Sequence, residues 1–262
     1  FNAMWLPGSD HAGIATQAVV EKNLKKEGKD RLEMGREAFL EEVWSWKKTY
    51  GDRIYSQMKR LGDSVDWQRE TFTLDEGVSK AVRKVFVHLY EKGWMYKGER
   101  LVNWSPPLQS AISDLEVVHK DTKGSLFHLS YAVDGTDEKL IIATTRPETY
   151  LGDSAVFVHP EDDRYKHLVG KTITLPIINR KIPIMADEYV DREFGTGALK
   201  VTPAHDFNDY ELGKKHGLDF INILNVDGTL NELGGPWAGL KAQEARKQIV
   251  KEFEEKEIIV KT

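Results

Sequence analysis

FGTGALKVTPAHDFNDYELG, residues Phe194 to Gly213, sets a glycine turn, a short strand, a proline stop and a capped helix in one run. Gly195 and Gly197 permit a tight turn. Ala198 to Val201 reads as a strand that Pro203 ends. Asp206 or Asn208 can cap a helix from about residue 209 to residue 215, with Gly217 closing it. That geometry predicts that Lys200, Thr202, His205, Asp206 and Asp209 converge on one small volume. A well-capped helix with a solvated face is the structural alternative.

A second polar strand exit precedes it. In LIIATTRPETYLG, Leu140 to Gly152, the apolar run Leu140 to Ala143 delivers Thr144, Thr145, Arg146, Glu148 and Thr149 at a turn forced by Pro147. Hydroxyls and a guanidinium at a strand end form a hydrogen-bonding rim. Alone, the segment also fits a Ser/Thr turn carrying a surface arginine.

Working outward, two textures appear. Up to about residue 106 the pattern is helical. Ile14 to Lys26 carries Ile14, Ala18 and Leu24 on an apolar face, with Gly28 at its end. Phe39, Val43, Trp46, Tyr50, Ile54 and Met58 predict one long helix from about residue 37 to residue 61, with Gly51 as a bend. Val78, Val82, Val85, Phe86 and Leu89 mark the inward face of a third helix. From about Gly124, short apolar runs alternate with turn residues: 125–133, 140–143, 155–159, 171–175, 181–186 and 198–201. Such punctuation predicts a small closed sheet or barrel. A last helix, about 241–256, places Ala242, Ala245, Ile249 and Phe253 on one side.

The composition is that of an ordinary water-compatible globular chain. It has 262 residues, 40% hydrophobic and 30% charged, with a formal charge of −5. No apolar run reaches the roughly 20 residues a membrane helix needs. The absence of cysteine excludes disulfides and thiolate metal sites and fits a cytoplasmic location. Net acidity gives no domain-wide nucleic-acid footprint. Arg83, Lys84, Lys92, Lys97 and Arg100 form one local basic group, which also reads as a solvated helix face.

With WLPGSDHAGIATQ (Trp5 to Gln17), LGDSVDWQRETFTLD (Leu61 to Asp75) and LVNWSPPLQSAISDLEV (Leu101 to Val117), the two polar segments resemble class I aminoacyl-tRNA synthetases over essentially the whole chain. The likeness is closest to their valine-specific branch. It implies an α/β chain: a partial Rossmann-type catalytic segment, mostly helical, over 1–124, and a β-barrel-like α+β editing domain over 125–262. Two departures stand out. Neither the histidine signature nor the lysine loop that serves ATP binding in this family occurs in the 262 residues, and Ser105 replaces an expected cysteine. Phe1-Asn2-Ala3 ahead of Met4 reads as a cloning remnant, and the chain as a fragment.

For the sites, the resemblance implies an editing pocket that hydrolyses threonine from mischarged valine tRNA without a cofactor or metal. ATP and magnesium belong to valine ligation by the intact enzyme, a cytoplasmic and monomeric one. Asp209 would bind the substrate's α-ammonium, Asp206 its hydroxyl or the water, and Lys200 the ester, ribose or terminal phosphates. Thr149 and Thr202 would supply hydroxyl contacts alongside Thr144 and Thr145. Phe194 would stack on the terminal adenine and Arg146 pair with phosphate. His205 has the intrinsic pKa of a general base, or else braces its loop. Asp10 would be a remnant of the synthetic site, or a helix cap. Two rival readings are a non-catalytic module that grips a tRNA 3′ end, and a metal-dependent hydrolase built on His205, Asp206 and Asp209.

Overall fold

The computed structural model describes residues 3–262, so Phe1 and Asn2 of the stretch read as a cloning remnant, Phe1-Asn2-Ala3, lie outside the described residues. The chain divides into two compact units that meet in sequence at Gly98 and Glu99. The family resemblance implies a domain boundary after residue 124.

The first unit is helical. Its helices are α1 (Gly13–Lys26), α2 (Arg31–Met34), α3 (Arg36–Tyr50), α4 (Arg53–Leu61) and α5 (Glu76–Glu91). A two-residue parallel pair, β1 (Gly8–Ser9) with β2 (Thr71–Phe72), is its one sheet among the described residues. A doubly wound Rossmann sheet is not formed within these residues. The expected long helix is two helices. After Gly51 the chain turns so tightly that a Cβ there would lie 2.7 Å from the Lys47 carbonyl oxygen.

The expected stripes are only partly core. Val20, Leu24 and Phe39 form the buried cluster, with Val43 and Trp46 against it. Ile14 and Ala18 are half-buried, Tyr50 and Ile54 exposed. Helix α5 buries none of its residues, and Val82 is 61% exposed. Apolar spacing identified that helix correctly, but no described element of this unit covers its apolar face.

Among the described residues, the second unit holds two larger sheets, a two-stranded pair and two α-helices. Its strands are β3 (Trp104–Ser105), β4 (Ser110–Ala111), β5 (Phe127–Ala132), β6 (Lys139–Thr144), β7 (Ala155–Val158), β8 (Thr172–Thr174), β9 (Lys181–Ala186), β10 (Ala198–Val201) and β11 (Ile259–Lys261). The helices are α6 (Phe207–His216) and α7 (Ala242–Glu255). One sheet runs β10-β7-β9-β8 and the other β11-β5-β6, with β3 and β4 pairing separately. Among the described residues, one isolated bridge, Val133 to Ile173, joins the two larger sheets, and the expected closed barrel does not form.

Period-two alternation decides which side chains share a face. Val156 and Val158 of β7 pack into the main core with Leu129, Ile142, Ile249 and Phe253. Ala155, Phe157 and Val201 point the other way and pack with Leu212 of α6. The central sheet is therefore covered on both faces. Lys200 shares the side of Ala198, which belongs to the main core, so an ammonium is carried inward by strand register. Among the described residues, no helix is long and apolar enough to cross a membrane.

Candidate functional site

The pairing of β10 with β7 builds the site. Val201, the last residue of β10, lies opposite Ala155, so Thr202 runs beside the approach to β7. There Lys200 Nζ donates to Asp153 Oδ1 at 2.7 Å and to Thr202 Oγ1 at 2.6 Å. The Thr202 hydroxyl donates to the same carboxylate oxygen at 2.7 Å. Asp153 is fully buried, and Thr202 is 1% exposed. The three groups close a triangle of hydrogen bonds. An ion pair taken this far out of water needs such added hydrogen bonds to persist.

Helix α6 adds the second carboxylate. Asp206 is its N-cap, accepting from the backbone N–H groups of Asn208 and Asp209, and Gly217 closes it in the left-handed region. Asp209 turns back toward the strand, and its Oδ2 accepts the Thr202 backbone N–H at 2.8 Å. Burial pushes the Asp209 carboxyl up to about 6, against the pull of that N–H and of Lys200. Asp206 and Asp153 push in the same direction as burial. Gly197 makes the preceding turn possible: its φ is +75°, and a Cβ there would collide with the Arg164 guanidinium.

The two polar strand exits meet here. Arg146 Nη1 donates to the His205 carbonyl at 3.0 Å. A Cβ on Gly152 would lie 3.1 Å from Thr202 Cγ2 and 3.3 Å from the His205 ring. Among the rim threonines, Thr144 Oγ1 accepts the Arg146 N–H and Thr149 Oγ1 donates to the Arg146 carbonyl. Both hold the turn. Thr145 is exposed, and so is Phe194, at 77%, on the glycine turn.

His205 braces its loop. Its Nε2 accepts the Ile223 N–H at 3.1 Å. Burial first, then Arg146 and Lys200, lower its pKa to about 4, leaving a neutral ring whose lone pair is engaged.

Three residues matter that the sequence reading gave no role. Asp153, in a Gly-Asp-Ser stretch ahead of β7, anchors the triangle. Arg246 of α7 forms a two-pronged pair with buried Glu148, at 2.7 and 2.6 Å. Arg180 Nη2 donates to the carbonyls of Leu151 and Asp153, at 2.7 and 2.9 Å, fixing the backbone beside the triangle. An acidic residue two positions before a fully apolar strand was the available signal for Asp153.

Asp10 lies apart, in the first unit. Its Oδ1 accepts the Ala12 N–H at 3.2 Å just ahead of α1, whose N-cap is Ala12, so it is not the side-chain cap. It borders a cleft of about 740 Å³ lined also by His11, Phe39, Trp44, Trp46 and Phe72.

With this geometry described, comparison with known proteins gives the class. The family described as tRNA synthetases class I (I, L, M and V) matches residues 1–261. The chain belongs to that family. Within it, the chain is similar to the valine--tRNA ligase of Bdellovibrio bacteriovorus, at 64% identity over 261 residues, covering 100% of this chain and 29% of that protein. It is similar also to the Bacillus subtilis valine--tRNA ligase, at 56% over 261 residues, covering 100% of the chain and 30% of that protein. The chain thus spans about 30% of the length of these curated relatives. A solved ternary complex of an Agrobacterium radiobacter K84 LeuRS with tRNA and LeuAMS aligns over 91% of this chain and 37% of that one, at 18% identity and a TM-score of 0.42.

Proposed function

We propose that the second unit is an editing site that hydrolyses the ester joining threonine to the terminal ribose of valine tRNA. The single observation that carries this reading is the buried Lys200–Asp153–Thr202 triangle with Asp209 bonded to its edge. Its context is a chain similar to valine--tRNA ligases over its whole length. Threonine is nearly isosteric with valine, and an apolar pocket rejects an added hydroxyl poorly. A second pocket that rewards the hydroxyl separates the two. Valine there leaves buried polar groups unpaired, at a cost of about 1–3 kcal/mol each.

In the reaction, water adds to the ester carbonyl carbon and the bond to the ribose oxygen breaks. The ribose oxygen takes a proton, and threonine leaves. Asp209, ionised above about pH 6, anchors the α-ammonium through a charge-assisted hydrogen bond. Lys200 reaches the ester oxygen. Asp206 receives the threonine hydroxyl or the water on the oxygen its helix cap leaves over. Phe194 stacks on the terminal adenine, and Arg146, half-exposed, meets phosphate. Thr144, Thr145 and Thr149 line the approach. Thr202 acts from within, since its hydroxyl proton is spent on Asp153.

In the whole protein the first unit would form part of a Rossmann-type synthetic domain that ligates valine to its tRNA with ATP and magnesium, and Asp10 would meet valine's ammonium. Neither ATP signature is among the 262 residues. The metal-hydrolase reading is disfavoured because its one imidazole has Nε2 engaged by the Ile223 N–H, and because no group of three metal-ligating side chains is placed together among the described residues. Incubating the chain with threonyl-tRNA(Val), with and without chelator, tests all three readings. Ester loss that resists EDTA supports editing. EDTA-sensitive loss supports the metal hydrolase, and binding without turnover supports the inert module.

A further inference from the structure

We propose that Asp153 is the positioning residue for ester cleavage, fixing Lys200 so that it offers a single, aimed N–H to the substrate; this rests on the editing reading. An ammonium has three N–H donors and no acceptor. Two are committed, one to Asp153 Oδ1 and one to Thr202 Oγ1. Thr202 has one hydroxyl proton, and Asp153 Oδ1 takes it, so the hydroxyl faces Lys200 as an acceptor. One carboxylate oxygen therefore dictates the polarity of both neighbours. The lysine stem has little freedom left, with the side chain 8% exposed. Arg180 pins the carbonyls on either side of Gly152 and so holds the carboxylate's own backbone.

A donor held this way suits the oxygen on which negative charge develops as water adds to the ester. Preorganised donors stabilise that charge without reorganising during the reaction. Asp153 itself is sealed from solvent and acts only through Lys200 and Thr202.

The test is single-turnover deacylation of threonyl-tRNA(Val) by the chain and by Asp153→Asn, Lys200→Met and the double variant, each checked by thermal melting. Asp153→Asn is expected to slow the chemical step about 10²-fold, with substrate KM changed by no more than about twofold. The double variant should be no slower than Lys200→Met alone, because Asp153 has no route to the ester except through that ammonium. Losses that multiply in the double variant overturn the inference, since independent structural damage adds in free energy. If Asp153→Asn does not fold, Lys200→Arg decides. It keeps the charge and changes the donor geometry, so a folded Lys200→Arg chain should lose the chemical step, and an unchanged rate overturns the inference. A wild-type chain that leaves the ester intact removes the editing reading and this inference together. An active wild type with multiplicative losses removes the inference alone.

Discussion

The Asp209 carboxylate accepts the backbone N–H of Thr202 at 2.8 Å, tying the first turn of α6 to the end of β10. One bond thereby sets the distance between the second carboxylate and the Lys200–Asp153 pair. Burial of Asp209 there raises its pKa to about 6, against the pull of that bond.

That raised value predicts a pH profile. Deacylation should climb as pH passes through about 6, where Asp209 ionises and can hold an α-ammonium. Asp209→Asn keeps an acceptor for the Thr202 N–H, yet should abolish the climb along with most activity. Stability moves the other way. A carboxyl raised from 3.8 to about 6 stabilises the fold below 3.8 and loses that contribution as pH rises to about 6. Melting curves across this window should therefore fall less steeply in Asp209→Asn.

His205 should prove structural. Its ring is held neutral, with a pKa lowered from 6.5 to about 4, so its contribution is full above 6.5 and is lost as pH falls toward 4. His205→Asn is expected to cost about 1–3 kcal/mol from the orphaned Ile223 N–H. The rising limb of the rate profile near pH 6 should survive in the variant. A limb that disappears with the imidazole would make His205 the base after all.

The Glu148–Arg246 pair links α7 to the arginine-bearing turn. Arg246→Met leaves buried Glu148 only its longer contact with Arg146, at 3.7 Å, and should cost roughly 2 kcal/mol, less than a fully buried pair because the guanidinium is partly exposed and a second arginine remains. Adding Glu148→Gln should recover part of that loss. Urea unfolding of the two variants measures both numbers.

Gly152 is a packing constraint on the site. A Cβ there would meet the Ile221 carbonyl oxygen at 2.9 Å and Thr202 Cγ2 at 3.1 Å. Gly152→Ala should destabilise the chain by about 1–3 kcal/mol through overpacking. It should also slow deacylation, as Thr202 is displaced from Lys200. Paired melting and rate measurements check this.

Much of this arrangement was legible in the residues. Strands β9 and β10 match the predicted bounds, and β5 to β8 lie within a residue or two of theirs, because short apolar runs between turn residues leave little choice of register. Asp206 and Gly217 delimit α6 as capping chemistry predicts. Closure was not legible. Whether two sheets seal into a barrel depends on edge pairings far apart in sequence, and here one bridge, Val133 to Ile173, joins them. The α5 stripe misled for a related reason: apolar spacing tells which side of a helix seeks cover, not whether this unit supplies it. Within the site, Lys200, Thr202 and Asp209 were found from strand and helix geometry. Asp153 was missed because the register that sets it against Lys200 is a tertiary fact.

The most direct test of the editing account compares hydrolysis of threonyl and valyl esters of the same tRNA(Val) by the chain. The account predicts that threonine is released at least about tenfold faster, the rate equivalent of roughly 1.4 kcal/mol of hydroxyl recognition. Equal rates of release for the two amino acids would contradict it.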